Sequence, residues 1–372
     1  MTESQIGFVS DGDLTALRER VGEEVTISTP PHLTEVTPDA IRHWTIGTGD
    51  RNAFWGDPDR ALAVGLASAA APPAIVLGFS KLATGYTGGL PGVHAMYAGS
   101  DYSWSRVPVV GDQLTVRVVF EELLEKTSEY AGRTWEQIAR IKMHDQAGEL
   151  VADGRSWVFR VERSATVAHS KHDGLEPHVY EPEELERIFA EIDSETVQGT
   201  TPQYFDDLVV GTEIPPLVKG PLTVSDNVMF AMAWGGSFVR AHGLARDYFR
   251  KHPGAAISNE QGVPDFAERV HWDRTYAASV GLPHCYDYGG QRFAWMANLL
   301  TNWVGDAGQL TRLRVEFRRF NLVGDTTWCR GRITKCGIDG DPGIVHLEIW
   351  SHDQRGAITS KGQASVRLPL RH

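Results

Sequence analysis

HDQAGELVADGRSWV, residues 144–158, returns as HDQRGAITSKGQASV at residues 352–366, a constant shift of 208 positions. Outward from this pair the same order recurs. VVGDQLTV (109–116) is matched by LVGDTTWC (322–329) at a shift of 213, and VGL (64–66) by VGL (280–282) at 216. Nearer each start, TPDAIRHWTIGTGD (37–50) pairs with TVSDNVMFAMAWGG (223–236) at 186. Constant order with a drifting shift is the mark of a tandem duplication in which loops have changed length.

Each copy reads as helix first and strands last. In the second copy Phe293, Met296, Leu300 and Trp303 recur at helical spacing, followed by the alternating runs Leu313, Val315, Phe317 and Val345, Leu347, Ile349. A long helix followed by an antiparallel meander predicts an α+β unit whose sheet buries its apolar face on the helix. The polar stretch 165–204 contains EPEELERIFAEIDSE, which predicts a surface helix docked by Leu185, Ile188 and Phe189. The expected division is therefore a first unit over 1–164, a linker over 165–204 and a second unit over 205–372.

A chain of 372 residues holds two cores of ordinary size. Its net charge of −12 argues against nucleic acid as the main partner. The local run Arg312, Arg314, Arg318, Arg319 and Arg330 reads as the solvated side of edge strands in preference to a phosphate grip. Cys285, Cys329 and Cys336 form no CxxC pair, and so odd and sparse a set predicts a reduced, cytoplasmic protein. The apolar stretch 61–79 is interrupted by Gly65 and Pro72-Pro73, which argues against a membrane span. His43, His94, His242 and His284 lack an acidic companion at ligand spacing, so neither a metal nor another cofactor is expected.

GDRNAFWGD (49–57), APPAIVLGF (71–79), GLPGVHAMYAG (89–99) and VVGD in the first copy, with RVHWDRTYAASVGLPHCYDYGG (269–290) and FNLVGD in the second, together resemble the MaoC-like family of R-specific enoyl-CoA hydratases and acyl dehydratases, in its double-hotdog form. The resemblance spans about 30–165 and 205–370. It implies two hotdog units, each a long central helix wrapped by an antiparallel sheet. It also implies addition or removal of water across the 2,3 bond of an acyl thioester, carried by CoA or an acyl carrier protein, in a homodimer or hetero-oligomer. In the family an Asp–His pair handles the protons, and a backbone N–H at the start of the central helix stabilises the enolate oxygen.

At the 216 shift Trp55 stands opposite His271 and Asp57 opposite Asp273. The family's histidine position is thus aromatic in the first copy, which predicts a retired site where Asp50 and Trp55 shape the acyl tunnel. His271 is the expected acid–base residue, and Gly289, after Tyr288, the expected oxyanion donor, with Tyr288 itself against the substrate. The family aspartate is missing from the second copy: Asp50 falls opposite Gly236, and about 30 residues intervene before His271. Asp265 is the expected replacement because its spacing is nearest, with Glu260 and Asp247 as alternatives; Asp273 reads as a helix N-cap. The insert itself predicts a helix through Phe238, Leu244 or Ala245, and Phe249, extending the preceding helix and roofing the catalytic loop. Competing functions are a hotdog thioesterase and a non-catalytic acyl-CoA-binding subunit.

Overall fold

The HDQ repeats form matching hairpin turns. Asp145 Oδ1 accepts from the backbone N–H groups of Ala147 and Glu149 at 2.9 Å, and Asp353 Oδ1 accepts from Arg355 and Ala357 at 2.9 Å. Each turn closes over a left-handed glycine, Gly148 or Gly356 (φ 82° and 73°), a conformation that favours glycine. The computed structural model in which they lie describes residues 9–26, 30–90, 93–128, 132–162, 176–235, 238–338 and 341–371.

The first half runs α1 (Asp11–Glu19), α2 (Pro38–Thr48), α3 (Pro58–Ala63), a 3-10 helix (Pro73–Phe79), then β1 (His94–Trp104), β2 (Thr115–Ser128), β3 (Gly132–His144) and β4 (Leu150–Val161). After α4 (Pro182–Asp193) come β5 (Leu217–Lys219), α5 (Val224–Trp234), α6 (His242–Lys251), β6 (Ile257–Ser258), β7 (Pro264–Asp265), a 3-10 turn (Ala267–His271), α7 (Arg274–Ser279), α8 (Gly289–Val304), β8 (Gln309–Phe317), β9 (Thr327–Ile338), β10 (Asp341–Asp353) and β11 (Ile358–Arg367). The strands form one nine-stranded sheet in the order β2-β3-β4-β1-β8-β11-β10-β9-β5. Each half contributes the same four-strand pattern, the second adding β5 beyond β9, and the two join antiparallel at β1 and β8, with Asp101 opposite Arg314.

Local chemistry explains the symmetry. α2 and α5 are both 11 residues long, start on a Thr N-cap (Thr37 or Thr223) and stop at a left-handed glycine (Gly49 or Gly235). α3 and α7 start on Asp57 and Asp273, so Asp273 is a helix cap as expected. The VVGD and LVGD turns match as well: Asp112 Oδ2 accepts from Val109 N and Asp325 Oδ2 from Leu322 N, both at 2.9 Å. α8 is buried from Gly290 to Val304 and forms the spine of the core.

Three local expectations change. In the first half the place of α8 is taken by the 3-10 helix Pro73–Phe79, because the run is short, carries β-branched Ile75 and Val76, and meets Gly78. In the linker helix Ile188 is buried, but Phe189 is 51% exposed and does not dock it. α6 does not extend α5: α5 stops at its left-handed C-cap Gly235, α6 begins afresh at His242 (φ 51°), and Leu244 is 67% exposed. α6 packs instead through Tyr248 and Phe249 on Phe266, at centroid distances of 5.6 and 4.5 Å. The arginine run is not on edge strands: Arg312 and Arg314 lie on β8 at the centre of the sheet, Arg330 on β9, and Arg318 and Arg319 just after β8. Arg312 and Arg314 pair with Asp101, Arg314 and Arg318 with Glu316, and Arg330 with Glu213.

Candidate active site

His271 ends the 3-10 turn that follows the β6–β7 hairpin, and Tyr286 and Tyr288 lie on the approach to α8. Its Nδ1 lies 2.8 Å from the Tyr286 carbonyl oxygen. A carbonyl only accepts, so this nitrogen carries the proton, and in the neutral ring Nε2 holds the lone pair. The imidazole also stacks on Tyr288, with centroids 3.8 Å apart and planes 26° from parallel.

Asn227 of α5 fixes this arrangement. Wholly buried, its Nδ2 donates to the His271 carbonyl at 2.8 Å and to the Tyr286 carbonyl at 3.0 Å. The internal register puts Ile41 at the same place in the first half, also buried. Polar fastening is thus present where the histidine is kept and absent where it became Trp55. Comparing the two copies position by position carries that signal.

Tyr288 is 5% exposed, sits between Phe230 and Trp234, and its hydroxyl has no hydrogen-bond partner among the described residues. Burial, then the negative charge of Glu268, drive its hydroxyl well above the usual tyrosine range. Gly289 opens α8, where the first N–H groups have no intrahelical acceptor. A Cβ there would lie 2.5 Å from Tyr97 and 2.9 Å from Phe317, so close packing alone requires glycine.

The three carboxylates named from sequence fall apart. Asp247, on exposed α6, pairs with Arg250, and Glu260 is exposed in the β6–β7 turn. Asp265 accepts from Phe266 N at 2.7 Å and faces Arg269 at 3.4 Å. Glu268 is a carboxylate that spacing missed. It precedes His271 by one turn of the 3-10 segment, is half-buried, and its charge reaches Tyr286, Tyr288 and Lys81.

At the corresponding place in the first half the side chains bond to each other. Asp50 Oδ2 accepts from Trp55 Nε1 at 2.9 Å, while Oδ1 accepts from Asn52 N at 3.0 Å and from Asn298 Nδ2 of α8 at 2.9 Å. Burial raises this carboxyl to about 6, against the pull of Lys219. Lys219 donates to the Gly49 carbonyl at 2.6 Å, and burial lowers its own pKa. Trp55 therefore stands at the histidine register and donates directly to Asp50. Gly236, the partner of Asp50 in the register, lies outside the described residues.

A cleft of about 750 Å³ opens beside the His271 segment. Val224, Val228, Ala231 and Met232 of α5 and Pro30 and Pro31 make its apolar walls, and Gly235 and Trp272, the residue after His271, also line it. Lys81, Arg240 and His32 supply its cationic groups. Among the described residues no three His, Cys, Asp or Glu side chains gather as a metal would require, and no helix is long and apolar enough to cross a membrane.

A family model described as "FAS1-like, dehydratase domain region" matches residues 22–154. A UPF0336 protein of Streptomyces avermitilis is 30% identical over 122 residues, covering 32% of this chain and 78% of the relative. A UPF0336 protein of Streptomyces coelicolor is 30% identical over 139 residues, covering 36% and 88%. These relatives and the family model align with about one hotdog's length. Solved structures match both halves together. One titled MaoC-like dehydratase has a TM-score of 0.67 at 18% identity, covering 95% of this chain and all of that one. A putative MaoC domain dehydratase from Chloroflexus aurantiacus gives 0.58 at 15% identity over 95% and 96%. A Mycobacterium tuberculosis protein described as a double hotdog gives 0.57 at 12% identity over 94% and 96%. At these identities the solved structures speak for the fold. With duplicated sequence motifs, one sheet shared by two hotdog units and relatives of this kind, the chain belongs to the MaoC-like dehydratase family in its double-hotdog form.

Proposed function

We propose that the second half is a hydro-lyase that adds or removes water across the 2,3 bond of an acyl thioester such as an enoyl-CoA. The observation that carries this reading is the 2.8 Å contact between His271 Nδ1 and the Tyr286 carbonyl, which leaves Nε2 as a base in a pocket walled by aromatic rings. In the dehydration direction Nε2 takes the C2 proton, and electrons move toward the thioester oxygen. The C3–O bond then breaks, and the departing hydroxyl takes a proton to leave as water. The N–H of Gly289 and the unpartnered hydroxyl of Tyr288 are the donors available to the developing enolate oxygen, helped by the positive end of α8. Glu268 is assigned the proton for the leaving hydroxyl because it stands one turn before His271, is half-buried and acts electrostatically on Tyr288. The first half contributes packing and tunnel shape, with Asp50 and Trp55 bonded to each other.

One observation favours a second reading, a non-catalytic acyl-thioester-binding subunit: the aspartate register of the second copy falls on Gly236. Incubating the purified protein with crotonyl-CoA separates the readings. Hydration of the double bond supports the lyase, binding without turnover the subunit, and release of free CoA a thioesterase.

A further inference from the structure

A buried ion pair straddles the start of α8. Asp287, wholly buried, meets Arg292 of the first helical turn fork to fork: its carboxylate lies 2.6 Å from Arg292 Nε and 3.0 Å from Nη2, and accepts from Asn321 Nδ2 at 3.1 Å. Arg292, 4% exposed, donates through Nη1 to the Arg319 and Thr359 carbonyls at 2.6 and 3.1 Å. Tyr288, the N-cap residue between the two charges, makes no side-chain capping bond among the described residues. The pair therefore fastens a helix entry that a Ser, Thr or Asp cap would ordinarily hold.

The duplication supplies the control. Ala71 N donates to the Pro108 carbonyl and Asp287 N to the Asn321 carbonyl, both at 2.9 Å. The neighbouring bridges Ala70–Val109 and Tyr286–Leu322 repeat at 286 − 70 = 216 and 322 − 109 = 213. The local backbone is thus the same in both halves, yet Asp287, Arg292 and Asn321 stand where the register of the first half has Ala71, Val76 and Pro108. Those three are buried as well, so apolar packing is enough to hold the turn. Two charges taken out of water stabilise a fold no better than matched apolar packing does. What they add is direction.

The Tyr286 carbonyl and the Asp287 N–H belong to one planar peptide unit. That carbonyl lies 2.8 Å from His271 Nδ1 and accepts from Asn227 at 3.0 Å. A carboxylate locked by Arg292 restrains this plane on the Asp287 side, as Asn227 does on the other. We propose that the Asp287–Arg292 pair is a positioning device: it aims the Tyr286 carbonyl at His271 Nδ1, which keeps Nε2 as the basic nitrogen, and it sets Tyr288 and Gly289 at the start of α8. Both residues act through others and touch no reacting atom. Their part in catalysis rests on the lyase reading above; their effect on the His271 ring does not.

Asp287→Ala combined with Arg292→Met tests this, because it leaves neither charge buried alone and keeps most of the arginine's volume. Nitrogen NMR on protein carrying isotope-labelled histidine reads the ring directly, with the His271 signals identified by their loss in His271→Ala. The wild type is expected to show well-separated signals for a protonated Nδ1 and a bare Nε2. In the double variant the two are expected to move toward each other, as interchange of tautomers requires. Hydration of crotonyl-CoA is expected to fall by about ten-fold or more in kcat with little change in KM. If the double variant does not fold, Asn321→Ala, which keeps both charges and removes one donor from the carboxylate, is read in the same way. Merged signals already in the wild type, a folded variant whose His271 signals match the wild type, or a loss of activity that lies in KM alone overturns the proposal. A wild-type protein that hydrates nothing removes the lyase reading, and the ring signals still decide the role of the pair.

Discussion

The rings of His271 and Tyr288 lie face to face with centroids 3.8 Å apart, and the hydroxyl of that buried tyrosine has no hydrogen-bond partner among the described residues. A buried donor left unpaired lowers stability by about 1–3 kcal/mol, so its retention points to a ligand that uses it. Tyr288→Phe is therefore expected to melt at the same temperature as the wild type or higher, yet to lose about ten-fold or more in kcat/KM on an enoyl thioester. Full activity in the variant would make the tyrosine a packing residue.

Asn227 holds two carbonyls, those of His271 and Tyr286, on one side-chain nitrogen. Asn227→Ile copies the first half's Ile41 and leaves both carbonyls buried without that donor. Chemical denaturation should show a loss of roughly 1–3 kcal/mol. Hydration should fall mainly in kcat, because the imidazole loses its setting while the cleft is kept. A fall in kcat/KM that comes entirely from KM would contradict a positioning role.

Asp50 supplies a pH test. Burial raises its carboxyl from the ordinary 3.8 to about 6, so the folded protein binds that proton more tightly than the unfolded chain does. The protonated group thus favours folding below about pH 4, and the advantage is lost as pH rises through about 6. Relative to wild type, Asp50→Asn should gain roughly 1–3 kcal/mol of stability between pH 4 and pH 7, followed by urea denaturation. A difference that does not change with pH contradicts an elevated carboxyl. The same variant should alter chain-length preference more than turnover on a short substrate.

Glu268 and Asp265 lie three residues apart with different surroundings. Glu268→Gln is expected to reduce hydration by about 10²-fold or more, the scale of a lost proton donor. Asp265→Asn, which loosens a contact to Arg269, is expected to affect thermal stability more than rate. The reverse order of effects would return the acid–base role to Asp265.

Much of this architecture was legible because duplicated local chemistry is local. Thr37 and Thr223 cap helices of equal length, and Asp112 and Asp325 close identical turns, whatever the surrounding packing does. The same internal register set His271 against Trp55, whose indole donates to Asp50. What it missed depends on long-range contacts. The place of α8 in the first half looked helical by homology, but Ile75, Val76 and Gly78 support only a 3-10 helix there. Phe189 and Leu244 satisfied helical periodicity, yet both lie on solvent faces. The carboxylate near His271 was sought by family spacing, which favours Asp265. No spacing rule reveals that Arg269 competes for Asp265, or that the charge of Glu268 raises Tyr286 and Tyr288.

The central claim is that His271 Nε2 moves the substrate proton. The most direct measurement is the initial rate of crotonyl-CoA hydration by the wild-type protein and by His271→Ala at equal folded concentration. The account predicts clear wild-type turnover and a loss of ~10²–10⁴-fold in the variant, the contribution typical of a general base. A variant that keeps more than about a tenth of the wild-type rate, well short of that range, would contradict it.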